Sequence, residues 1–388
     1  MNAPISTPAL LNQATLENLL SQKYPDQKVI IKHIVPLALD NSSSILVTLT
    51  AASGATDIGH FRFLLEYETN GKSHQKDVVV KVKPHGKTIA AMLEGLAAAH
   101  GPTLGDAYKK ASALTGFLHS HEKELYLANT ITKAAIFPEM YGTLSLDEKG
   151  LFLIMMEYLG ENELIDSVME PEKWTDEHIR SALDQAAAWH AVHMAHGKGK
   201  LKSWPDQPDV ESRAALIPLY SALWENASTK LPDLLSEQDY SFILGQIPKA
   251  GLIQKELDTF PKSQIHNDMN PRNTCFKRNG VGLQFVAYDW ELSTRHLPQY
   301  DAVEFLCFVL DEDRYDLRES YLDYYRSRLE HHSGIPIEPH AFRRSCYLLH
   351  LDFCFLRLGM YLMAHALSPY PFLRRVVKSC MDGIKTLA

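Results

Sequence analysis

Two spacings of apolar residues divide the chain. Across residues 28–83 they alternate or cluster in short β-branched runs, the signature of strands. Residues 44–50 (SILVTLT) form one such run, residues 61–67 (FRFLLEY) a second after a glycine-containing loop, and residues 77–83 (DVVVKVK) a third. Asn70-Gly71 stands between the last two, and both residue types accept the positive φ that a two-residue hairpin turn requires. Three strands in succession without a helix predict an antiparallel sheet. Pro84 ends the third, having no N–H to give to a ladder.

From residue 88 to 132 the spacing lengthens to that of helices. Ile89, Met92, Leu93 and Leu96 share one face, as do Leu114, Phe117, Leu118, His121, Leu125 and Ala128. A further strand is predicted at 151–157 (LFLIMME), and helices dominate thereafter. One interruption stands out: residues 274–277 and 283–288 read as two short strands joined around Asn279-Gly280. The fold class expected is α+β, with an antiparallel sheet in an N-terminal lobe and a mainly helical C-terminal lobe. At 388 residues the chain exceeds a typical single domain, and the boundary falls after the hinge-like strand, giving lobes 1–157 and 158–388.

Composition narrows the partners rather than the chemistry. Hydrophobic residues make up 45% and charged residues 22%, as in an ordinary globular protein, and no uninterrupted run reaches the roughly 18 apolar residues of a spanning helix. A formal net charge of -8 argues against general affinity for nucleic acid or anionic membranes, so neither is expected as a partner. The first residues (MNAPISTPALLNQ) show no basic and apolar leader pattern, and five scattered cysteines without a C-x-x-C pair suit a reducing compartment without structural zinc. A cytoplasmic location is the expectation.

The densest chemical signal is residues 266–273 (HNDMNPRN), an H-x-D-x-x-x-x-N frame. Phosphoryl transfer asks a protein for positioning and charge neutralisation more than for covalent chemistry. Asp268 and Asn273, five residues apart in a tight loop, meet both needs, with one carboxylate to face an attacking hydroxyl and one amide oxygen to hold a metal. Directly after the second strand of the hairpin come Tyr288-Asp289-Trp290-Glu291, where Asp289 can bridge Mg²⁺ to phosphates. Loop, hairpin and strand-end aspartate in this order are far more specific than the loop alone.

These motifs resemble the aminoglycoside phosphotransferase and choline kinase family, including its ecdysteroid-kinase-like branch, whose fold is the bilobal protein-kinase-like one. The resemblance implies an ATP- and Mg²⁺-dependent transfer of the γ-phosphoryl group to a hydroxyl of a small molecule. It implies Asp268 as the base, Asn273 and Asp289 as Mg²⁺ ligands, and His266 as a structural tie for the loop. Residues 186–191 (AAAWHA) resemble the helix beneath the catalytic loop, and residues 298–306 (PQYDAVEFL) the segment in which an aspartate braces it. Asp301 is either that brace or a plain helix N-cap.

Upstream, residues 79–84 (VVKVKP) resemble the strand whose lysine reaches the α- and β-phosphates. Alternation puts Lys81 and Lys83 on one face, and the resemblance favours Lys81. On the following helix both Glu122 and Glu124 can partner it; projection at about 100° per residue brings Glu124 nearer the apolar face. Residues 153–160 (LIMMEYLG) match the hinge, with adenine expected against backbone groups near Glu157 and Leu159. The expected phosphate cover, residues 39–44 (LDNSSS), lacks glycine, so Ser42, Ser43 and Ser44 stand as its donors.

Other features carry less. His190, His193 and His196 lie three apart, which drifts around a helix and suits packing better than a metal. The stretch Asp311-Glu312-Asp313 with Tyr315, Tyr321, Tyr324 and Tyr325 is either a pocket for a cationic substrate or a charged helix face. Trp290 either touches the acceptor or packs. Two competing readings are a protein kinase, disfavoured because almost no chain separates Trp290 from the helix near Asp301, and a catalytically silent pseudokinase. The second is suggested by the glycine-free cover loop and opposed by the set Asp268, Asn273, Asp289 and Lys81.

Overall fold

The alternating segments build one five-stranded antiparallel sheet. In the computed structural model, which describes residues 7–39, 57–130, 136–195, 202–280 and 282–388, its order is β1 (Val29–Leu37), β2 (Gly59–Thr69), β3 (Lys72–Pro84), β5 (Leu151–Glu157) and β4 (Met140–Leu146). The β2–β3 turn is the expected one: Thr69 faces Lys72 across Asn70 and Gly71, at φ +50° and +77°. The strand expected at 44–50 lies outside the described residues. β4 was not legible as a strand, because its residues are only partly buried and Gly142 interrupts it.

Pleating sorts β3 into two faces. Val78, Val80 and Val82 join a buried cluster with Phe63, Leu65, Leu153 and Met155, covered by Leu16, Leu19 and Leu20 of α1 (Gln13–Ser21). Val79, Lys81 and Lys83 take the opposite face. Helix α1 starts on an Asn12 cap, whose Oδ1 accepts from Thr15 N at 3.1 Å. It docks on β4 through Gln22, which donates to Thr143 O at 2.8 Å and accepts from Thr143 N at 3.0 Å. Beside that contact Gly142 lets the helix approach closely; a Cβ there would lie 2.1 Å from Leu19 O.

The chain divides into two compact units, and not by one cut after residue 157. Unit 1 comprises Met1–Ile89 and His119–Asn162; unit 2 comprises Ala90–Leu118 and Glu163–Ala388. The cause is packing: α2 (Gly86–Ala99) hands the chain to α3 (Pro102–Ala111), which lies on α6 (Ile217–Lys230). His100 Nε2 also donates to Met363 O at 2.8 Å. The chain re-enters unit 1 with α4 (Ser120–Thr130) and returns to unit 2 with α5 (Asp176–Ala195).

Unit 2 is mostly helical. At its centre α7 (Gln299–Val309) is buried along its whole length, flanked by α8 (Arg318–Ser333), α9 (Pro339–Phe353) and α11 (Leu373–Leu387). A π-helical turn, Cys354–Leu358, joins α9 to α10 (Gly359–His365). The continuous span Pro339–His365 is long and apolar enough to cross a membrane by length and composition, yet its most apolar window is 94% buried among its neighbours, as befits a core helix. Trp224 Nε1 donates to Cys354 O at 3.1 Å, and Gly359 leaves room for Leu223. Two small ladders carry the motif: β6 (Ser263–Ile265) with β9 (Thr294–His296), and the hairpin β7 (Thr274–Asn279) with β8 (Gly282–Ala287). Asn279 faces Gly282, so the asparagine closes a strand instead of forming the turn.

Gly142→Ala is expected to force α1 off β4 and cost about 2 kcal/mol of stability, whereas Gly95→Ala, exposed in α2 with nothing near the added methyl, should gain about 0.5 kcal/mol. Urea unfolding of the two variants beside the parent checks both signs.

Candidate active site

In unit 1 one face of β3 carries two buried lysines, and α4 brings one carboxylate to them. Lys81 Nζ meets Glu124 Oε1 at 2.8 Å, and Lys83 Nζ lies 3.5 Å from Glu124 Oε2, all three side chains being almost wholly buried. Glu124 thus partners both lysines that alternation left equivalent, with the closer contact to Lys81. Glu122 is turned elsewhere, 3.2 Å from His119 Nδ1. A buried ammonium is costly unless it meets anions, and this one is held in place by its carboxylate.

The strand expected as a hinge is β5. Glu157 exchanges two bonds with Glu139: its N–H donates to Glu139 O at 2.9 Å and its Oε1 accepts from Glu139 N at 2.5 Å. Leu159 is buried and its carbonyl accepts from Asn162 N at 2.9 Å. Tyr158 N donates to Asp77 O, and the Tyr158 ring is covered by the Arg62 guanidinium at 3.4 Å. Ser42, Ser43 and Ser44 lie outside the described residues.

In unit 2 the H-x-D-x-x-x-x-N loop runs between β6 and β7, and one buried carboxylate organises it. Asp301, on the first turn of α7, accepts from His266 N at 2.7 Å and from Asn267 N at 2.9 Å. His190 on α5 donates its Nε2 proton to Asp301 Oδ2 at 3.0 Å, while its Nδ1 meets the Tyr325 hydroxyl at 2.8 Å. Asp301 is therefore a brace for the loop and no N-cap; the helix cap position belongs to Pro298. His190 is explained as well: both of its ring nitrogens are engaged in the brace. His193 bonds back to Trp189 O, and His196 is outside the described residues.

The bracing lets Asn267 sit at φ +64°, a left-handed position that asparagine accepts, with its side chain donating to Leu292 O at 3.0 Å. His266 Nε2 donates to Tyr288 O at 2.9 Å and its ring packs on Trp290. Trp290 also packs on Trp189 and donates to Ala287 O at 2.8 Å; at 4% exposure it is a packing residue.

Asp268 is surrounded by donors. Asn273 Nδ2 reaches its Oδ2 at 2.9 Å, Asn270 Nδ2 its Oδ1 at 3.0 Å, and Tyr361 OH its Oδ1 at 3.3 Å. Arg357, on the π-helical turn, ion-pairs with the same Oδ1. With the Asn273 nitrogen turned to Asp268, its Oδ1 points away and is available to a cation. Asp289 stands at φ +66° at the exit of β8, and its carboxylate comes within 4.8 Å of that of Glu291. An all-oxygen donor set of this kind fits Mg²⁺.

Three residues near Asp268 were not foreseen from the sequence: Arg357, Tyr361 and Glu304. The available signal was a lone arginine in the apolar run 353–361 (FCFLRLGMY), which must find a buried partner. Glu304 is fully buried, and neither carboxyl oxygen has a hydrogen bond among the described residues. Burial, and next the charge of Asp268, push it well above the usual carboxylate range. The acidic stretch near residue 311 is engaged as a charged helix face: Asp311 pairs with Arg314, Glu312 with Lys378, and Tyr321 and Tyr324 stack on Arg180.

Comparison with known proteins accords with this arrangement. The model of the phosphotransferase enzyme family matches residues 72–336, more than half of the chain. No curated protein sequence matches. Among solved structures, the choline kinase from Cryptosporidium parvum Iowa II is similar with a TM-score of 0.51 at 11% identity, over 96% of this chain and 95% of that one. Plasmodium vivax ethanolamine kinase gives 0.48 at 13% identity, over 84% and 81%. The GDP complex of aminoglycoside 2'-phosphotransferase-IIIa gives 0.43 at 14%, over 97% and 99%. At these identities a likeness speaks for fold alone, and the first of the three, above 0.5, supports the protein-kinase-like fold.

Replacing Asp301 by Ala strands two loop N–H groups and the His190 proton. We expect a loss of about 3 kcal/mol in urea unfolding and faster amide exchange at His266 and Asn267. Exchange at those two amides that matched the parent would refute the bracing role.

Proposed function

Because this chain belongs to the phosphotransferase enzyme family, we propose that it transfers the γ-phosphoryl group of ATP to a hydroxyl of a small molecule, with Mg²⁺ as its metal. The observation that carries the reading is the joining of Asp268 to Asn273 at 2.9 Å in a loop whose backbone is fixed from behind by Asp301. A carboxylate aimed outward from a rigid loop, with an amide oxygen beside it, is what an in-line displacement needs.

Asp268 orients the acceptor hydroxyl and takes its proton. The acceptor oxygen forms a bond to the γ-phosphorus as the bond from that phosphorus to the β–γ bridging oxygen breaks, and ADP departs. The proton then leaves Asp268 for solvent. Asn273 and Asp289 would hold Mg²⁺, with Glu291 alongside; the ion supplies neutralisation of phosphate charge. Lys81, held by Glu124, anchors the α- and β-phosphates. Backbone groups near Glu157 and Leu159 are assigned to the adenine.

A small acceptor is favoured over a protein because only nine residues, Trp290 to Pro298, separate Asp289 from α7. Trp290–Leu292 is a 3-10 turn and Thr294–His296 is paired as β9, so the stretch offers no free segment to dock a peptide.

Asp268→Asn keeps the shape of the loop and should lower turnover on the order of 10³-fold while Mg·ATP still binds. A coupled ADP-release assay beside nucleotide titration reads both. More than about a tenth of parental turnover in the variant would remove Asp268 from the role of base.

A further inference from the structure

We propose that the acceptor is a hydroxylated oxyanion, a molecule with a carboxylate or phosphate beside its reacting hydroxyl, and that Arg357 and Arg272 recognise that group. The inference rests on the phosphoryl-transfer reading above and narrows its substrate class.

The residues around Asp268 are supplied with more guanidinium donors than the protein itself uses. Arg357 is 8% exposed and spends one nitrogen on Asp268, while its Nε is buried without an acceptor. Its cationic carbon lies 5.7 Å from the Tyr361 ring and 5.9 Å from Phe117, so aromatic faces keep water from it. Arg272 belongs to the loop itself and is half-buried. Its guanidinium packs 5.9 Å from the Phe372 ring, and among the described residues no hydrogen bond ties it to a carboxylate.

Arg357 ion-pairs with Asp268, whereas Asp268 and Asp166 reach Arg272 by charge alone, without a hydrogen bond among the described residues. Glu304 is fully buried, and burial pushes its carboxyl well above the usual range. A guanidinium with free coplanar donors in an aromatic setting binds an oxyanion in two-pronged fashion and repels a cation. Choline-like amines and polycationic aminoglycosides are therefore poor fits for this surface.

The same contact bears on the base. Arg357, Asn270 and Tyr361 all occupy Oδ1 of Asp268. An acceptor whose anionic group draws Arg357 to itself loosens that grip and leaves Oδ1 for the neighbouring hydroxyl. Charge recognition and activation of the base then happen together.

The test uses the full chain and Arg272→Gln, since the half-buried position tolerates exchange better than Arg357. With saturating Mg·AMP-PNP, tartrate and inorganic phosphate are titrated separately at tens of millimolar, and melting temperature is read. Either anion should raise it by about 2 °C in the parent and not in the variant; which anion acts separates a carboxylate from a phosphate site. No rise, or an equal rise in both proteins, overturns the inference. In ADP release, glycerate, gluconate and glycerol 3-phosphate are set against glycerol, glucose and choline. An acid should exceed its neutral partner about tenfold in kcat/KM, and Arg272→Gln should raise the acid's KM about tenfold. Preference for a neutral or cationic acceptor sinks the oxyanion inference and leaves phosphoryl transfer standing. So does a variant whose KM rises for ATP instead, which assigns the guanidinium to the nucleotide. Absence of both Mg·ATP binding and ADP release sinks the transfer reading itself, and where the panel is silent but nucleotide binds, the melting arm decides.

Discussion

The loop at the centre of unit 2 exists in its observed form because one buried carboxylate faces two consecutive backbone N–H groups. Neither N–H has a ladder partner, and buried donors without acceptors are expensive. Asp301 meets both and is itself held by His190, which Tyr325 orients from α8. Three helices thereby converge on one point of backbone. Everything the loop offers outward, Asp268 and Asn273 first, inherits its position from that charge.

Unit 1 solves a different problem with the same economy. A sheet must cover one face with apolar side chains, and β3 gives Val78, Val80 and Val82 to α1 for that purpose. The pleat then obliges residues 79, 81 and 83 to point the other way. Two of these are lysines, and Glu124 supplies the counter-charge. The lysines are stiffened by the strand that carries them and by an acid that leaves little freedom of rotamer.

Much of this was legible from residue patterns. The β2–β3 hairpin followed from Asn70-Gly71, β5 from its apolar run, and the loop from its H-x-D-x-x-x-x-N frame, because each depends on neighbours close in sequence. What escaped depends on distant partners. β4 hides because Gly142 serves the approach of α1, a tertiary requirement with no local trace. Residues 90–118 join unit 2 through contacts with α6 and α10, which no periodicity announces. Arg357 lies 89 positions from Asp268, and the π-helical turn under it shifts the helical phase that a 3.6-residue projection assumes. Asp301 reads from its neighbours as brace or cap alike, because its donors, the His266 and Asn267 N–H groups, lie 35 and 34 positions away.

Asp289 occupies the left-handed region at φ +66°, two residues past the end of β8 and capping the 3-10 turn that follows. Backbone of that hand favours glycine, and an aspartate held there carries a standing conformational cost on the order of 1 kcal/mol. On the proposed reading the same residue must carry a carboxylate for the metal, so the demands of the turn and of the chemistry fall on one side chain. Glycine would relax the chain and silence the site. On that reading, position 289 is a place where a single change toward an easier backbone leads to a folded but inert chain.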